Sequence, residues 1–173
     1  MVASRADWDG QAADYDEAMR PFERHAFARA RAWLCSRAHG DVLDVAAGTG
    51  ANLPHYPPGC RVAMVDYSRP MLAHARDHDT RVRVALCQSD AHRLPFLDGS
   101  FDVAVCALSL TLLGRGPAFT EIRRVLRPGG HLLVLDHVHA GRHAWRPVRE
   151  AGFRVADRRR LLLGLVRAVD LSF

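Results

Sequence analysis

The 173-residue sequence predicts a single α/β domain with a doubly wound, mostly parallel seven-stranded sheet and helices on both faces. Three observations predict this fold class. Five short apolar runs alternate with helical patterns, a glycine loop follows the first run, and two β-like runs close the chain around Gly164. The alternation is typical of strand–helix–strand units with buried parallel strands. The closing runs predict a hairpin that adds an antiparallel last strand.

Composition limits the class of protein. Hydrophobic residues make up 49% of the chain and charged residues 25%, as in an ordinary globular domain. A chain of this length buries about 70% of its unfolded surface around one core, so we expect one domain over residues 1–173. Acidic side chains stand near the start, where a signal peptide is apolar, and no apolar stretch approaches the ~20 residues of a membrane span. We therefore expect a cytoplasmic protein.

The charged and sulfur-containing residues exclude some kinds of site. All 24 residues counted as lysine or arginine are arginines, and the net charge is +5. Arginine suits phosphate or carboxylate recognition, but net charge says little about partners, and we do not expect a nucleic-acid partner. The four cysteines follow no C-x-x-C spacing. We expect buried free thiols, with neither a metal site nor a disulfide framework.

Two helices are predicted before the sheet, from Trp8 to Met19 and from Pro21 to Ala38. In the second, apolar side chains recur on one face, and Gly40 ends the pattern. These helices form an N-terminal cap over residues 1–40. The domain core is expected to follow it over residues 41–138.

Five parallel strands are predicted from the apolar runs of the core. These runs cover residues 42–47, 61–66, 81–87, 101–108 and 131–138. Between them, Ser68 is placed to cap a helix, and residues 98–99 form a turn. A helix is predicted over residues 117–125, ended by the Pro-Gly-Gly of residues 128–130.

The C-terminal segment, residues 139–173, is expected to hold a brief helix around Pro147 to Ala151 and then the hairpin. The arginines at positions 158–160 are open to two interpretations. In the first, they are charges on an edge strand, and such charges discourage strand pairing between molecules. In the second, they form a site for an anionic substrate or lipid headgroup.

Ligands of open α/β sheets bind at the carboxyl ends of the strands. The loop over residues 44–52 follows the first run, and its glycines let the backbone approach a ligand closely, although a tight turn alone also explains them. The second run ends at Asp66, 18 residues after Gly48, where a carboxylate accepts both hydroxyls of a nucleoside ribose. A loop aspartate capping the next helix is the alternative. After the third run, Asp90 is placed to accept an adenine amine.

In order along the chain, four segments resemble the motifs of the class I S-adenosylmethionine-dependent methyltransferases. They read VLDVAAGTGAN, VDYSRPML, SDAHRLPFLDGSFDVAV and EIRRVLRPGGHLLVLDHV. The sequence is most similar to small-molecule members of methyltransferase type 11, the quinone C-methyltransferases, phosphatidylethanolamine N-methyltransferases and thiol methyltransferases. The resemblance implies a Rossmann-like fold and in-line methyl transfer from S-adenosylmethionine to a small-molecule acceptor, with S-adenosylhomocysteine as product.

The same resemblance assigns the site residues. Asp44 would orient the glycine loop and approach the methionine amino group, Asp66 would hold the ribose, and Tyr15 would close over the cofactor. The residues implied to bind the cofactor are Tyr15, Asp44, Ala46, Gly48, Gly50, Asn52, Asp66, Tyr67, Met71, Asp90, Ala91, Ala107 and Leu108. Ala46 stands where relatives usually have the first glycine of the loop.

Methyl transfer depends on holding donor and acceptor in line in a dry pocket, so a general base is optional. His137 and His139 follow the fifth strand and are candidate bases, since imidazole has a pKa near neutrality. Solvated surface positions are the plain alternative, because the chain has ten histidines. Tyr15 is a candidate for steering the acceptor. Tyr56 is left open between the loop surface and substrate contact.

Relatives carry a substrate-covering segment after the fifth strand, whereas only residues 139–144 bridge this gap here. We expect the lid to be missing or supplied by another chain. A cofactor-binding but catalytically silent partner subunit of another methyltransferase is therefore the second hypothesis. A homo-oligomer that covers the cleft and peripheral lipid contact both remain open. A nicotinamide dehydrogenase is disfavoured, because Leu53 stands where it needs glycine.

Overall fold

The computed structural model describes residues 4–75, 81–114, 116–137, 145–161 and 166–173. Its strands are β1 (Asp41–Val45), β2 (Arg61–Asp66), β3 (Arg83–Gln88), β4 (Phe101–Ala107), β5 (Leu126–His137), β6 (Arg154–Leu161) and β7 (Val166–Ser172). They form one sheet in the order β3-β2-β1-β4-β5-β7-β6. Strands β1 to β5 pair in parallel, and β7 is antiparallel to both β5 and β6. The predicted fold class is confirmed.

Helices cover both faces of this sheet. They are α1 (Arg5–Gln11), α2 (Tyr15–Phe22), α3 (Ala28–Cys35), α4 (Arg69–His74), α5 (Leu110–Leu113), α6 (Ala118–Val125) and α7 (Arg146–Glu150). One core cluster joins Ile122 of α6 to Leu132 and Val134 of β5. The other joins Leu34 of α3 to Leu133 and the rest of the opposite β5 face. Successive side chains of β5 point to opposite faces of the sheet and therefore pack into two separate cores.

The predicted division of the cap at Pro21 is wrong. The chain turns at residues 12–14 instead, and Pro21 lies inside α2. A π-helical turn, Glu23–Phe27, then joins α2 directly to α3. Proline removes one backbone donor from a helix without necessarily ending it, and here the helical backbone continues through Pro21 into the π-helical turn.

The Pro-Gly-Gly of residues 128–130 does not end α6, contrary to the prediction. Helix α6 ends at Val125, and the three residues lie within β5. There the pairing with β4 shifts register, because Phe101 pairs with Leu126 but Val103 pairs with His131. A Cβ on Gly130 would lie 2.9 Å from the Arg127 carbonyl oxygen, so this bulge requires glycine.

Other local predictions are confirmed. The Ser68 hydroxyl accepts a hydrogen bond from the Met71 amide and caps α4. All four cysteines are free; three of them are buried as predicted, whereas Cys87 is only half-buried. None of the helices in the described ranges is long and apolar enough to cross a membrane.

Candidate functional site

A cleft of about 340 Å³ opens at the carboxyl ends of β1 to β4. Strand order reverses at β1, which lies between β2 and β4, and ligand crevices of open α/β sheets form at such a point. Eleven of the thirteen predicted cofactor residues line the cleft: Tyr15, Ala46, Gly48, Asn52, Asp66, Tyr67, Met71, Asp90, Ala91, Ala107 and Leu108. The other two, Asp44 and Gly50, are buried and are not part of its lining.

The glycine loop adopts left-handed backbone conformations at three positions. Ala46 has φ of 52°, Gly48 of 57° and Gly50 of 92°. A Cβ on Gly48 would meet nothing within 4 Å, so there is open space beside the chain. Glycine is favoured here because of the left-handed backbone conformation. Ala46 adopts a similar conformation at a cost of about 1–2 kcal/mol.

Asp66 ends β2 with its carboxylate held by the backbone. One carboxylate oxygen accepts a hydrogen bond from the Gly48 amide at 2.8 Å, and the other accepts one from the Ser68 amide at 2.8 Å. Burial raises the pKa of Asp66, and these amides act in the opposite direction. Because Ser68 caps α4, Asp66 is not that helix's capping residue. Each oxygen retains acceptor capacity for a ligand.

Asp90 and His92 form the wall of the cleft after β3. The Asp90 carboxylate accepts from the His92 amide at 2.9 Å and lies 2.7 Å from His92 Nδ1. Partial burial alone raises the pKa of Asp90, but these contacts outweigh it and the pKa is lowered. Within the described part of the chain, the buried Nε2 atom of His92 has no hydrogen-bond partner. Gly116 packs on this ring, where a Cβ would lie 2.8 Å from Nε2.

Beneath the glycine loop lies a set of polar residues, all buried except the half-buried Glu23, here called the floor network: Glu23, Arg31, Asp44, Asn52 and Tyr56. The Asn52 amide nitrogen donates to both Asp44 oxygens at 3.1 Å, and the Tyr56 hydroxyl donates to Asp44 at 2.8 Å. Burial raises the pKa of Asp44 to about 6, although these hydrogen bonds act to lower it. Tyr56 is thus a buried partner of Asp44 and lies neither on the loop surface nor in the cleft lining.

Arg31 joins the floor network to the helical cap. Its guanidinium donates to the Asn52 side-chain oxygen at 2.6 Å and to both carboxylate oxygens of Glu23, the shortest contact being 2.7 Å. Burial by itself lowers the pKa of Arg31, but Glu23 more than compensates and raises it. Arg31 is not among the predicted site residues, because the apolar face predicted for its helix was a different one. The signal was present, since Phe27, Arg31 and Leu34 follow the spacing of one buried stripe.

Helices α1, α2 and α5 close the remaining side of the cleft with mainly apolar walls. Trp8 and Tyr15 form an edge-to-face pair with ring centroids 6.3 Å apart. Thr49 of the glycine loop donates to the Asp16 carboxylate at 2.5 Å, which fastens α2 to the loop. Burial raises the pKa of Tyr15, so its phenol stays protonated at neutral pH.

The segment after β4 provides the apolar side chains of this wall. Leu108, Leu112 and Leu113 line the cleft with Ser109, whose buried hydroxyl has no partner among the described residues. Asp136 of β5 accepts from the Leu110 amide at 2.8 Å and so anchors α5. Local sequence patterns do not indicate this anchoring role, since the two residues are distant in the chain.

The candidate base His137, unlike Tyr15, does not line the cleft. His137 is exposed at the end of β5, its ring centroid lies 5.4 Å from that of Phe27, and it is not among the lining residues. Its catalytic role stays a prediction. His139 and the bridging segment, residues 139–144, lie outside the described residues.

Comparison with known proteins identifies the family to which the chain belongs. Residues 43–134 match the family described as "Methyltransferase domain". The human thiol S-methyltransferase TMT1A is 32% identical over 139 residues, which cover 76% of this chain and 56% of the relative. The ubiquinone/menaquinone biosynthesis C-methyltransferase UbiE of Paracoccus denitrificans is 39% identical over 112 residues, covering 60% and 45%. The chain spans about half the length of these curated relatives.

Solved structures share the fold. A chain in the complex between the Haloferax volcanii Trm112 methyltransferase activator and a methyltransferase has a TM-score of 0.76 at 21% identity, covering 96% of this chain and 97% of that one. A SAM-dependent methyltransferase from Aquifex aeolicus has a TM-score of 0.73 at 18% identity, covering 95% and 97%. At these identities the likeness is one of fold alone. Because the family match extends over more than half of the sequence, this chain belongs to the methyltransferase domain family.

Proposed function

We propose that this chain transfers a methyl group from S-adenosylmethionine to a small apolar acceptor. The observation that carries the proposal is the Asp66 carboxylate, oriented by the Gly48 and Ser68 amides at the cleft edge with acceptor capacity unused. A pair of vicinal ribose hydroxyls is the group that such a carboxylate recognises. The family match and the thirteen assigned positions, of which eleven line one cleft, support the same donor.

The described residues fit this donor. Buried polar atoms are rarely left without hydrogen-bond partners. Two residues of the cleft lining nevertheless have such an atom within the described part of the chain, His92 at Nε2 and Ser109 at Oγ. A polar ligand would supply the missing hydrogen bonds. The carboxylates of Asp66 and Asp90 suit a cationic ligand, because the Arg31 charge is already balanced by Glu23. Asp66 would hold the ribose, and Asp90 and Ala91 the adenine.

The floor network would act on the donor through the glycine loop. Asp44 is buried with its oxygens engaged by Asn52 and Tyr56, so it holds the loop in shape from below. Arg31 and Asn52 are the two members that line the cleft, and Asn52 would contact the methionine part. When bound, S-adenosylmethionine supplies a methyl group on a sulfonium, and S-adenosylhomocysteine remains after the carbon–sulfur bond breaks.

The apolar wall favours a thiol as acceptor. Leu108, Leu112 and Leu113 exclude water and bind alkyl groups, while Tyr15, kept protonated by burial, offers a hydrogen-bond donor. His92 is the one histidine among the described lining residues, and it is not free to act as a base. One of its ring nitrogens contacts Asp90, and the other is buried. A thiol loses its proton to water at accessible pH and needs no base in the cleft. Similarity to human thiol S-methyltransferases supports this choice.

The test combines binding and turnover. Calorimetric titration with S-adenosylhomocysteine is expected to give a complex that Asp66→Ala weakens by about 100-fold, since hydrogen bonds to a carboxylate contribute about 1.5–3 kcal/mol each. The matched control Asp98→Ala removes an exposed carboxylate far from the cleft and keeps wild-type binding. Methylation of an alkyl thiol, followed by mass spectrometry, tests the acceptor.

Two outcomes would contradict parts of the proposal. Absence of binding by the folded wild-type chain would refute the donor site. Binding without turnover of thiols, amines or quinols would refute the activity and favour the silent partner subunit.

A further inference from the structure

An unusual concentration of positive charge lies at the C-terminal edge of the sheet. Residues 145–173 contain seven arginines and three carboxylates, so four of the chain's five net positive charges fall there. We define the basic patch as Arg158, Arg159 and Arg160 of β6 with Arg167 of β7. The three β6 side chains are exposed, and β6 is the edge strand of the sheet.

The basic patch is not neutralised by the protein. On the elements around it, Asp157 pairs with Arg37, Asp170 with His131, and Glu150 with Arg146. Among the described residues, no ion pair involves a patch arginine. Arg160 and Arg167 also lie directly opposite each other on neighbouring strands, where like charges are destabilising. Protection of an edge strand explains charge on β6, but not on the interior strand β7.

From these observations we propose that the basic patch docks the protein on an anionic phospholipid surface. An exposed edge strand whose arginines form no ion pair with the described part of the chain is complementary to phosphate headgroups. Val155, on the same strand, has 56% of its surface exposed and adds an apolar contact. Binding of anionic headgroups would also relieve the repulsion between Arg160 and Arg167.

The position of the aromatic rings argues against a single-stranded nucleic acid as the partner. Such binding depends on exposed rings that stack on bases. Here Trp33 is covered by Arg37 at 3.6 Å and approached by Arg159 at 5.8 Å, and Arg167 lies 5.7 Å from the Trp145 ring centroid. These rings are occupied by guanidinium groups.

The basic patch and the cleft share one edge of the sheet. Strand β6 is antiparallel to β7, which is antiparallel to β5, so the carboxyl end of β6 lies at the same edge as the carboxyl ends of β1 to β5. Residues 158–160 occupy the last half of β6. Three strand spacings separate β6 from β4, or about 14 Å. A docked molecule therefore has its cleft beside the lipid surface.

Vesicle sedimentation tests the proposal and needs no methyl donor, so its result is separate from that of the proposed activity. The full chain is mixed with vesicles of phosphatidylcholine alone or with added phosphatidylserine. We expect binding to the anionic vesicles only, lost in about 1 M salt. The variant Arg158→Gln/Arg159→Gln/Arg160→Gln should bind about 100-fold more weakly, since each basic residue near an anionic surface contributes about fivefold.

Two controls keep the result specific. Arg81→Gln/Arg83→Gln/Arg93→Gln removes the same charge from exposed residues at and near the opposite edge strand, β3, and should bind as wild type. Arg158→Lys/Arg159→Lys/Arg160→Lys keeps the charge and should also bind. Equal binding to both kinds of vesicle, or equal loss in the β3 control, overturns the proposal. Tighter binding of a single-stranded oligonucleotide through the same arginines also overturns it.

Discussion

The two polar layers of the cleft differ in how completely their hydrogen bonds are satisfied. In the floor network, the carboxylate of Asp44 and the guanidinium of Arg31 are both engaged by protein groups. In the rim, which we define as Asp66, Asp90, His92 and Ser109, two polar atoms have no partner within the described residues. A layer that is satisfied without ligand contributes to folding, whereas an unsatisfied layer is available for binding. Stability and affinity should therefore respond to different substitutions.

The largest effect is expected in the floor network. Arg31→Leu leaves Glu23 and Asn52 without their buried partner and should lower the free energy of unfolding by about 4 kcal/mol, the typical cost of breaking one side of a buried pair. Urea denaturation measures this change. The control Arg61→Leu breaks an exposed pair with Asp41 and should cost at most about 1 kcal/mol. Equal losses in the two variants would disprove the distinction.

Asp44 should give the floor network a measurable pH dependence. Its pKa is about 6 in the fold and 3.8 when unfolded. Between these values the folded state holds a proton that the unfolded state has lost, so its contribution to stability falls as pH rises, by about 3 kcal/mol in total. Urea denaturation between about pH 4 and pH 6.5 should show this fall in wild type relative to Asp44→Asn. Parallel curves would contradict the raised pKa.

Two serines offer a direct comparison of satisfied and unsatisfied groups, since each precedes a helix. Ser68 caps α4 through its hydroxyl, so Ser68→Ala should lower the free energy of unfolding by about 1 kcal/mol. Ser109 precedes α5 with an unpartnered hydroxyl, so Ser109→Ala should raise it by about 1 kcal/mol and weaken S-adenosylhomocysteine binding. Thermal unfolding and calorimetry measure both. Changes of the same sign would refute the comparison.

The smallest effect is expected at the loop between the two layers. Ala46→Gly relieves a left-handed alanine, although glycine has more freedom in the unfolded chain, so stability should rise by about 0.5 kcal/mol. Ala47 does not have a positive φ, and Ala47→Gly should lower stability by a similar amount. Chemical denaturation of both variants in parallel shows whether the free energy of unfolding rises in the first and falls in the second.

Two rim carboxylates, Asp66 and Asp90, were predicted from sequence, whereas His92 and Ser109 were not. In the floor network, Asp44 and Asn52 were predicted as cofactor residues, but the ion pair between Arg31 and Glu23 was not. Asp66 and Asp90 follow apolar strands at fixed distances from the glycine loop, so local patterns locate them. The Arg31 side chain contacts Asn52, which is 21 residues away in the chain, and Arg31 was not on the apolar face predicted for its helix. The Pro-Gly-Gly of residues 128–130 was mispredicted because it forms a bulge in β5, whose pairing with β4 no local pattern shows. Pro21 was mispredicted because the helical backbone continues through it.

The sequence by itself determined the alternation of strands and helices, the glycine loop and the carboxylates that follow β2 and β3. These features depend on residues close together in the chain, whose periodicity and spacing express local backbone preferences. Only the tertiary structure decided that Asp44 lies beneath the cleft, that the buried Arg31 pairs with Glu23, and that His137 packs on Phe27. Such contacts join elements distant in sequence. Burial and the pairing of buried charges, which no local pattern encodes, select them.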